Sequence, residues 1–170
     1  GYNGNAGESL TTPVPYGGNW YQPSFNLVNS FKTDAVTGLP LLTTFNDVPM
    51  HSDMGVGVTD PFTPYSGTID ARLDWTVGRR GIPYLDWGVF DLSYLINQDG
   101  GPYCHIKSAF WEADKATSLG SFEGWAFVTS TNYTMIRFAD VLLWAAECEV
   151  EIGSLSKAEE YVNLVRARAA

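Results

Sequence analysis

The chain has 170 residues, of which 45% are apolar and 14% aromatic, so it is long and apolar enough for one domain with a packed core. Its formal net charge of -9 repels phosphate backbones, which argues against nucleic acid as a partner. No stretch of the sequence approaches the roughly 20 consecutive apolar residues that a membrane-spanning helix requires.

Residues 1–130 are rich in glycine, proline, asparagine, aspartate, threonine and aromatic side chains, and they contain all nine prolines. Long periodic helices are hard to place in such a stretch, so it predicts loops, short strands and a few short helices. Phe25, Val28 and Phe31 recur at helical spacing after Pro23, which predicts one short helix there.

Two further segments favour strands. The stretch "ARLDWTVG", residues 71–78, alternates Leu73, Trp75 and Val77, a spacing that is typical of a half-buried strand. The stretch "PYCHIKSAFW", residues 102–111, alternates less regularly, but its tyrosine, isoleucine and phenylalanine have high strand propensity. We therefore predict a strand in each segment.

The residues from Asn132 onward predict two helices joined by a tight turn. The first carries two apolar stripes that together form a wide face, so we expect it to be buried on most sides, with Trp144 in the core. Gly153 is predicted to end this helix. Ser156 and Glu159 have the spacing of a capping box at the start of the second helix.

Several charged side chains lie on this apolar helix. Arg137 and Asp140 are three residues apart and can pair on the helix surface. Because the second helix returns antiparallel, we expect Asp140 and Glu147 to face Arg166 and Arg168 and to form charge-assisted hydrogen bonds. A carboxylate pair for acid–base catalysis is the less favoured alternative for the same residues.

Metal and cofactor chemistry has little support in the sequence, and neither a metal ion nor a cofactor is predicted. His51 and His105 are isolated from further ligands. Cys104 and Cys148 have no metal-like spacing. Because Cys148 lies within the apolar helix, buried free thiols are favoured over a single disulfide.

The last two helices also carry a recognisable signature. They contain "IRFADVLL" at residues 136–143, "AE" at 146–147, a glycine at 153, an alanine at 158 and "NLVRARA" at 163–169. This pattern resembles the C-terminal signature of SusD/RagB-type nutrient-uptake lipoproteins. Upstream, "QPSFNLVNSFKTDAVTGLPL" and "DPFTPYSGTIDARLDWTV" resemble, more weakly, segments of the same family in the same order.

The resemblance implies a fold that is mainly α with irregular loops and short strands, ending in a tetratricopeptide-like helix hairpin. Residues 1–170 would form the C-terminal region of the family fold, as part of a larger protein. Within it, residues 1–130 would be the loop-rich ligand-binding region and residues 132–170 the helix hairpin.

The resemblance also implies a function. Family members lie at the cell surface on the outer membrane, attached by an N-terminal lipid anchor, which is absent from this chain. They bind an oligosaccharide or another nutrient without catalysis and deliver it to a TonB-dependent, SusC-like transporter. Polysaccharide utilization is thus the expected role, and no enzyme activity is expected.

Loops that combine glycines with aromatic residues are the predicted ligand site. Sugar rings have apolar faces, which indole and phenol rings stack against, and polar edges, which amide, carboxylate and guanidinium groups bind. The segments "YGGNWYQ" and "GRRGIPYLDWG" have this composition. From them we predict seven ligand-binding residues: Trp20, Tyr21, Tyr84 and Trp87 as stacking rings, and Asn19, Arg80 and Asp86 as polar partners.

Two other functions remain possible from the sequence. A helical-repeat scaffold that binds a protein partner would use the helix pair itself. A secreted glycoside hydrolase would need two carboxylates roughly 5–10 Å apart in an aromatic cleft, for which the sequence offers no motif.

Overall fold

The computed structural model describes residues 13, 16, 22–91, 93, 100–123, 126–132 and 134–169. The chain divides into two compact units, Gly1–Tyr133 and Thr134–Ala170. In the first unit, short helices and short strands are joined by long irregular segments, whereas the second unit consists of two longer helices. No helix in the described part of the chain has the length and apolarity to cross a bilayer.

The first helix, α1, spans Phe25–Asn29, and its prediction from the spacing of apolar residues is confirmed. Ser24 caps it, because the Ser24 hydroxyl accepts a hydrogen bond from the Leu27 N–H at 3.1 Å. Val28 is fully buried, whereas Phe25 stays partly exposed. The helix therefore anchors its segment to the core mainly through Val28.

The predicted strand over residues 71–78 is mostly wrong. Ala71–Trp75 forms a 3₁₀ helix, and only Val77–Gly78 forms a strand, β1. The reason is Asp70, whose carboxylate accepts the Arg72 N–H at 2.9 Å and so caps a helical turn. The turn leaves Leu73 fully buried and Trp75 largely exposed.

The predicted strand over residues 102–111 shrinks to Cys104–His105, which is β2. β2 pairs antiparallel with β1, so that Val77 lies opposite His105 and Gly78 opposite Cys104. Gly78 is required at this close approach, because a Cβ there would overlap the Cys104 sulfur. Cys104 is a buried free thiol, as expected.

Residues 81–90 form a tight turn of the chain beside β2. A bridge between Pro83 and Val89 closes it. Tyr84 and Phe90 are fully buried and hold its base in a core cluster with Cys104 and Ile106. At the tip, Leu85 and Trp87 are partly buried against the same cluster, whereas Asp86 is exposed.

A second core cluster joins the first helix to the strands. Its buried members come from α1, the loop that follows it, the 3₁₀ helix, β1 and the residue directly before β2, and they are Val28, Met50, Leu73, Val77 and Tyr103. The short elements are thus held by side-chain packing, since a two-residue strand pair supplies few hydrogen bonds of its own.

After β2, the described part of the first unit contains a 3₁₀ helix at Glu112–Asp114, a helix α2 at Lys115–Ser118 and two antiparallel strands. These strands are β3, Leu119–Glu123, and β4, Ala126–Thr129. The order of elements fits the expected mixture of short helices, short strands and irregular loops.

The second unit is a helical hairpin of α3, Phe138–Glu151, and α4, Leu155–Ala169. α3 begins six residues later than Asn132, from which the helical pattern was read. α4 begins at Leu155, so Ser156 lies inside the helix and the predicted capping box is wrong. The Ser154 carbonyl accepts the Ala158 N–H at 3.1 Å and begins the helical ladder instead.

The end of α3 at Gly153 is confirmed. Gly153 has φ of +84°, and two hydrogen bonds close the helix end. The Ser154 N–H donates to the Glu149 carbonyl at 2.8 Å, and the Gly153 N–H donates to the Val150 carbonyl at 3.1 Å. This is the Schellman arrangement, in which a left-handed glycine satisfies two terminal carbonyls.

The prediction that α3 is buried on most sides is wrong. Among the hairpin residues whose burial the structure describes, Ala146 of α3 and Ala158 of α4 are the buried ones, whereas Trp144 is 53% exposed and therefore not in the core. Cys148 is exposed rather than buried. The reason is geometric: one neighbouring helix covers only one stripe of a wide apolar face.

The charges on α3 pair locally. The Arg137 Nη2 lies 2.6 Å from Asp140 Oδ1, which confirms the predicted pair, and this guanidinium holds the pKa of Asp140 below its usual value. The Arg137 N–H also donates to Asp140 Oδ2 at 2.9 Å. Within the described residues, no ion pair reaches from α3 to Arg166 or Arg168, and Glu147 is exposed. The predicted charge-assisted hydrogen bonds across the hairpin are therefore wrong.

Replacing the glycine at the hairpin turn tests this account. We expect Gly153→Ala to lower the free energy of unfolding by about 1–2 kcal/mol, because alanine is strained at positive φ. Gly153→Asn should cost less, because asparagine tolerates the left-handed region better. Urea unfolding followed by circular dichroism measures both, and equal stability of Gly153→Ala and the parent chain would contradict the Schellman closure.

Candidate functional site

A cleft of about 380 Å³ opens on the first unit. Its wall joins the first 3₁₀ helix, the 81–90 turn and the segment that precedes the second 3₁₀ helix. The lining combines aromatic, aliphatic and acidic side chains, namely Asp74, Trp75, Ile82, Pro83, Leu85 and Trp111.

Two tryptophans dominate the open side of the cleft. Trp75 is 59% exposed and Trp111 is 42% exposed, which is unusual for two large rings in the same place. Their ring centroids are 6.4 Å apart, and their planes are inclined by 50°. Trp75 ends one 3₁₀ helix and Trp111 precedes the other, so both rings are fixed at element ends.

Asp74 is the charged residue among those that line the cleft. Arg79 binds it with two hydrogen bonds, from Nε to Oδ1 at 2.6 Å and from Nη2 to Oδ2 at 3.1 Å. The Arg79 side chain is only 7% exposed, whereas that of Asp74 is 34% exposed. The guanidinium thus stands behind the carboxylate and orients it toward the cleft.

Asp86, at the tip of the 81–90 turn, holds the Trp111 segment in place. Its Oδ1 accepts the Glu112 N–H at 2.6 Å, and its Oδ2 accepts the Ala113 N–H at 2.9 Å. Desolvation acts to raise the pKa of Asp86, but hydrogen bonds from Ala113 and Glu112 outweigh it and lower the pKa. Asp86 thereby caps a helical turn that is distant in sequence and begins directly after Trp111.

Trp87 holds the same segment from the other side of Trp111. Its indole N–H donates to the Phe110 carbonyl at 3.0 Å. The Trp87 ring also packs edge-on against Tyr16, with centroids 5.6 Å apart. Consecutive residues of one turn therefore bind the chain both before and after Trp111.

Comparison with known protein families identifies the chain. A model described as the SusD family matches residues 1–170. The chain belongs to the SusD family. A search of curated proteins found no match.

Proteins of the SusD family take part in nutrient uptake and polysaccharide utilization, and the resemblance in the last two helices is thereby confirmed. Membership implies nutrient or glycan binding at the cell surface. Family members are generally non-catalytic binding proteins, typically outer-membrane lipoproteins, and work with SusC-like transporters.

Tyr84 does not present a stacking ring in this SusD family member. It is fully buried, and its hydroxyl donates to the His105 carbonyl at 3.1 Å. Its prediction as a ligand contact is therefore corrected, because the ring packs into the core that holds the base of the turn.

Arg80 is also corrected as a ligand contact. Its side chain is buried, and its guanidinium donates to the carbonyls of Gly57 at 3.1 Å, Val58 at 2.8 Å and Asp60 at 2.6 Å. It also lies over the Phe62 ring at 5.6 Å. A cation with this many carbonyl acceptors fixes the 57–62 loop and has little to offer a ligand.

Asp86 and Trp87 are near the cleft, but their polar atoms bind the Trp111 segment, so we assign them a positioning role. The other three predicted residues, Asn19, Trp20 and Tyr21, lie outside the described residues. Of the seven predictions, the structure therefore brings two to the edge of the cleft.

The sequence did not identify Asp74, Trp75 and Trp111 as a site. Trp75 was read as one face of a strand, and Trp111 as the end of another. Two local signals were available. Asp70 before "ARLDW" is a good helix cap, and "WEAD" at residues 111–114 places acids in a first helical turn.

Leu85 lies in the cleft wall with a backbone φ of +50°. A non-glycine residue in this region costs roughly 1–2 kcal/mol, and such strain concentrates near functional sites. This residue directly precedes Asp86 and Trp87, whose side chains bind the Trp111 segment.

Removing the Asp86 carboxylate should loosen the Trp111 segment. We expect Asp86→Ala to speed amide hydrogen exchange at Glu112 and Ala113, with Asp86→Asn intermediate because it keeps one acceptor oxygen. Asp114→Ala is the control, since it removes a carboxylate from the same segment without touching these hydrogen bonds. Unchanged exchange in Asp86→Ala would contradict the positioning role.

The cap should also persist in mild acid. Because the folded pKa of Asp86 is lowered, its contribution to stability is fully present above the unfolded value of about 3.9. It is lost only as the pH falls through the lower folded value. The ratio of the Ala113 exchange rate in Asp86→Ala to the rate in the parent chain should therefore be as large at pH 5 as at pH 7.

Proposed function

We propose that this chain binds a glycan in the cleft between Trp75 and Trp111, without turnover, and delivers it to a TonB-dependent, SusC-like transporter. The observation that carries the proposal is the pair of exposed, inclined indole rings beside one oriented carboxylate. Family membership supports a nutrient ligand at the cell surface.

The cleft matches the chemistry of a sugar. The apolar face of a pyranose ring packs on an indole, and its hydroxyl groups donate to a carboxylate oxygen. Two indoles inclined by 50° suit two neighbouring rings of a chain that bends at the linkage. A volume of about 380 Å³ is within the usual range for ligand pockets, roughly 300–1,000 Å³.

The charge arrangement favours binding over hydrolysis. Glycosidases use two carboxyl groups about 5–9.5 Å apart, one of them as an acid. Among the described residues that line the cleft, Asp74 is the single carboxylate, and both of its oxygens accept hydrogen bonds from Arg79. Both Asp74 oxygens therefore act as hydrogen-bond acceptors, and the described lining offers no second carboxyl group to complete a hydrolytic pair.

The helical hairpin would serve as scaffold. We propose that α3 and α4 form a tetratricopeptide-like unit in the C-terminal region of a larger SusD-family fold, with the loop-rich part of residues 1–130 carrying the ligand site. Asn19, Trp20 and Tyr21 stay predicted as additional ligand contacts. The outer membrane surface, reached through an N-terminal lipid anchor, is the proposed location.

Tryptophan substitutions test the site directly. We expect Trp75→Ala and Trp111→Ala each to weaken oligosaccharide binding at least tenfold, equivalent to about 1.4 kcal/mol, because each removes one stacking face. Trp144→Ala is the matched control, since Trp144 is 53% exposed but lies on the hairpin. Calorimetry with cello-, manno-, galacto- and malto-oligosaccharides, followed by chromatography of the recovered sugars, gives the measurement.

Each result bears on a different part of the proposal. Tight binding by both cleft variants would place the site elsewhere. Shortened sugars after incubation with pure protein would show turnover and overturn the binding role. Absence of binding to every sugar in the panel by the parent chain would remove the glycan assignment.

A further inference from the structure

We propose that the Asp74–Arg79 pair makes the cleft selective for neutral glycans and against acidic ones such as uronates. This inference rests on the proposed function and names the class of sugar that the same site accepts. Its evidence is the direction of the ion pair, in which the carboxylate faces the cleft and the guanidinium lies behind it.

Arg79 cannot serve as an anion receptor at the cleft. Its Nε and Nη2 donate to Asp74, and its side chain is only 7% exposed. Arg80, the next residue, donates to three carbonyls of the 57–60 loop and is also buried. Both guanidinium groups are thus turned away from a ligand, although the two arginines are adjacent in the sequence.

The atoms offered to a ligand are therefore acceptors and apolar faces. Among the described residues of the lining, Asp74 supplies acceptor oxygens, and the other five are tryptophan, proline or aliphatic residues. A sugar hydroxyl can donate to Asp74. A ligand carboxylate would meet the negative end of the Asp74–Arg79 pair and lose its hydration without gaining a charged donor, which is unfavourable.

A positively charged sugar gains little from the same site. Because Arg79 compensates the charge of Asp74 with two hydrogen bonds, at 2.6 and 3.1 Å, the pair presents an oriented dipole rather than a full negative charge. Hydroxyl donors match such a dipole, so uncharged sugars are the ligands that satisfy the cleft at the lowest desolvation cost. The chain's net charge of -9 adds a field of the same sign against anions.

Charge can be tested with one sugar backbone. The probe is the panel oligosaccharide, cello-, manno-, galacto- or malto-, that the parent chain binds most tightly. Oxidising its primary hydroxyls gives the acid, and methylating the acid gives a neutral ester of nearly the same shape. We expect the acid to bind at least tenfold more weakly than the parent sugar and the ester to recover most of the loss.

Asp74→Asn should reverse this preference. The amide is nearly isosteric, but it leaves the Arg79 charge uncompensated behind the cleft. The ratio of acid binding to ester binding should rise at least tenfold, and the gain should fade as salt is added. A merely structural role for Asp74 would weaken all three sugars alike and leave this ratio unchanged.

Asp74→Asn leaves the buried Arg79 guanidinium without its ion-pair partner and could for that reason fail to fold. A second variant keeps the proposal testable in that case. Asp74→Asn combined with Arg79→Gln removes both charges, and circular dichroism checks its fold. This double variant should bind acid and ester within about threefold of each other, because neither charge remains.

The outcomes separate the two proposals. If the parent chain binds the neutral sugar and its acid equally well, the charge selectivity is wrong and the glycan site stands. If acid and ester are both weak, the primary hydroxyl rather than charge decides binding, and the selectivity is again wrong. If no panel sugar binds, the glycan function itself fails, and the selectivity fails with it.

Discussion

The cleft depends on one carboxylate at the tip of a turn. Asp86 accepts the N–H groups of Glu112 and Ala113, which lie 26 and 27 residues further along the chain. These hydrogen bonds fix the segment that presents Trp111 opposite Trp75. The turn can reach this segment because Tyr84 and Phe90 bury its base, so core packing and the polar cap act on the same short stretch.

Local rules predicted the elements whose cause lies within a few residues. The α1 helix follows from apolar spacing with Ser24 as its cap, and the end of α3 follows from Gly153. The same kind of rule was available for residues 71–75, where Asp70 caps a 3₁₀ helix. There the alternation of Leu73 and Trp75 suited strand and helical turn equally, so periodicity alone could not decide.

The candidate site could be predicted only in part, because its geometry depends on contacts between distant segments. Glycines beside aromatic residues pointed to the 81–90 turn, three of whose residues line the candidate cleft. They could not distinguish Tyr84, which enters the core, from Trp87, which binds the Phe110 carbonyl. Trp75 and Trp111 are 36 residues apart in sequence, and the turn holds the Trp111 segment through Asp86 and Trp87.

The partners of the adjacent arginines Arg79 and Arg80 could likewise not be predicted from the local sequence. The sequence predicted Arg80 as a polar ligand contact and assigned no role to its neighbour Arg79. In the structure the two side chains have different partners. Arg79 donates to the Asp74 carboxylate, and Arg80 donates to backbone carbonyls of the 57–60 loop. Because burying a guanidinium requires a full set of acceptors, each arginine is committed to the fold. Among the described lining residues, the charged group offered to a ligand is therefore the Asp74 carboxylate, and not the Arg80 guanidinium that the sequence predicted as a contact.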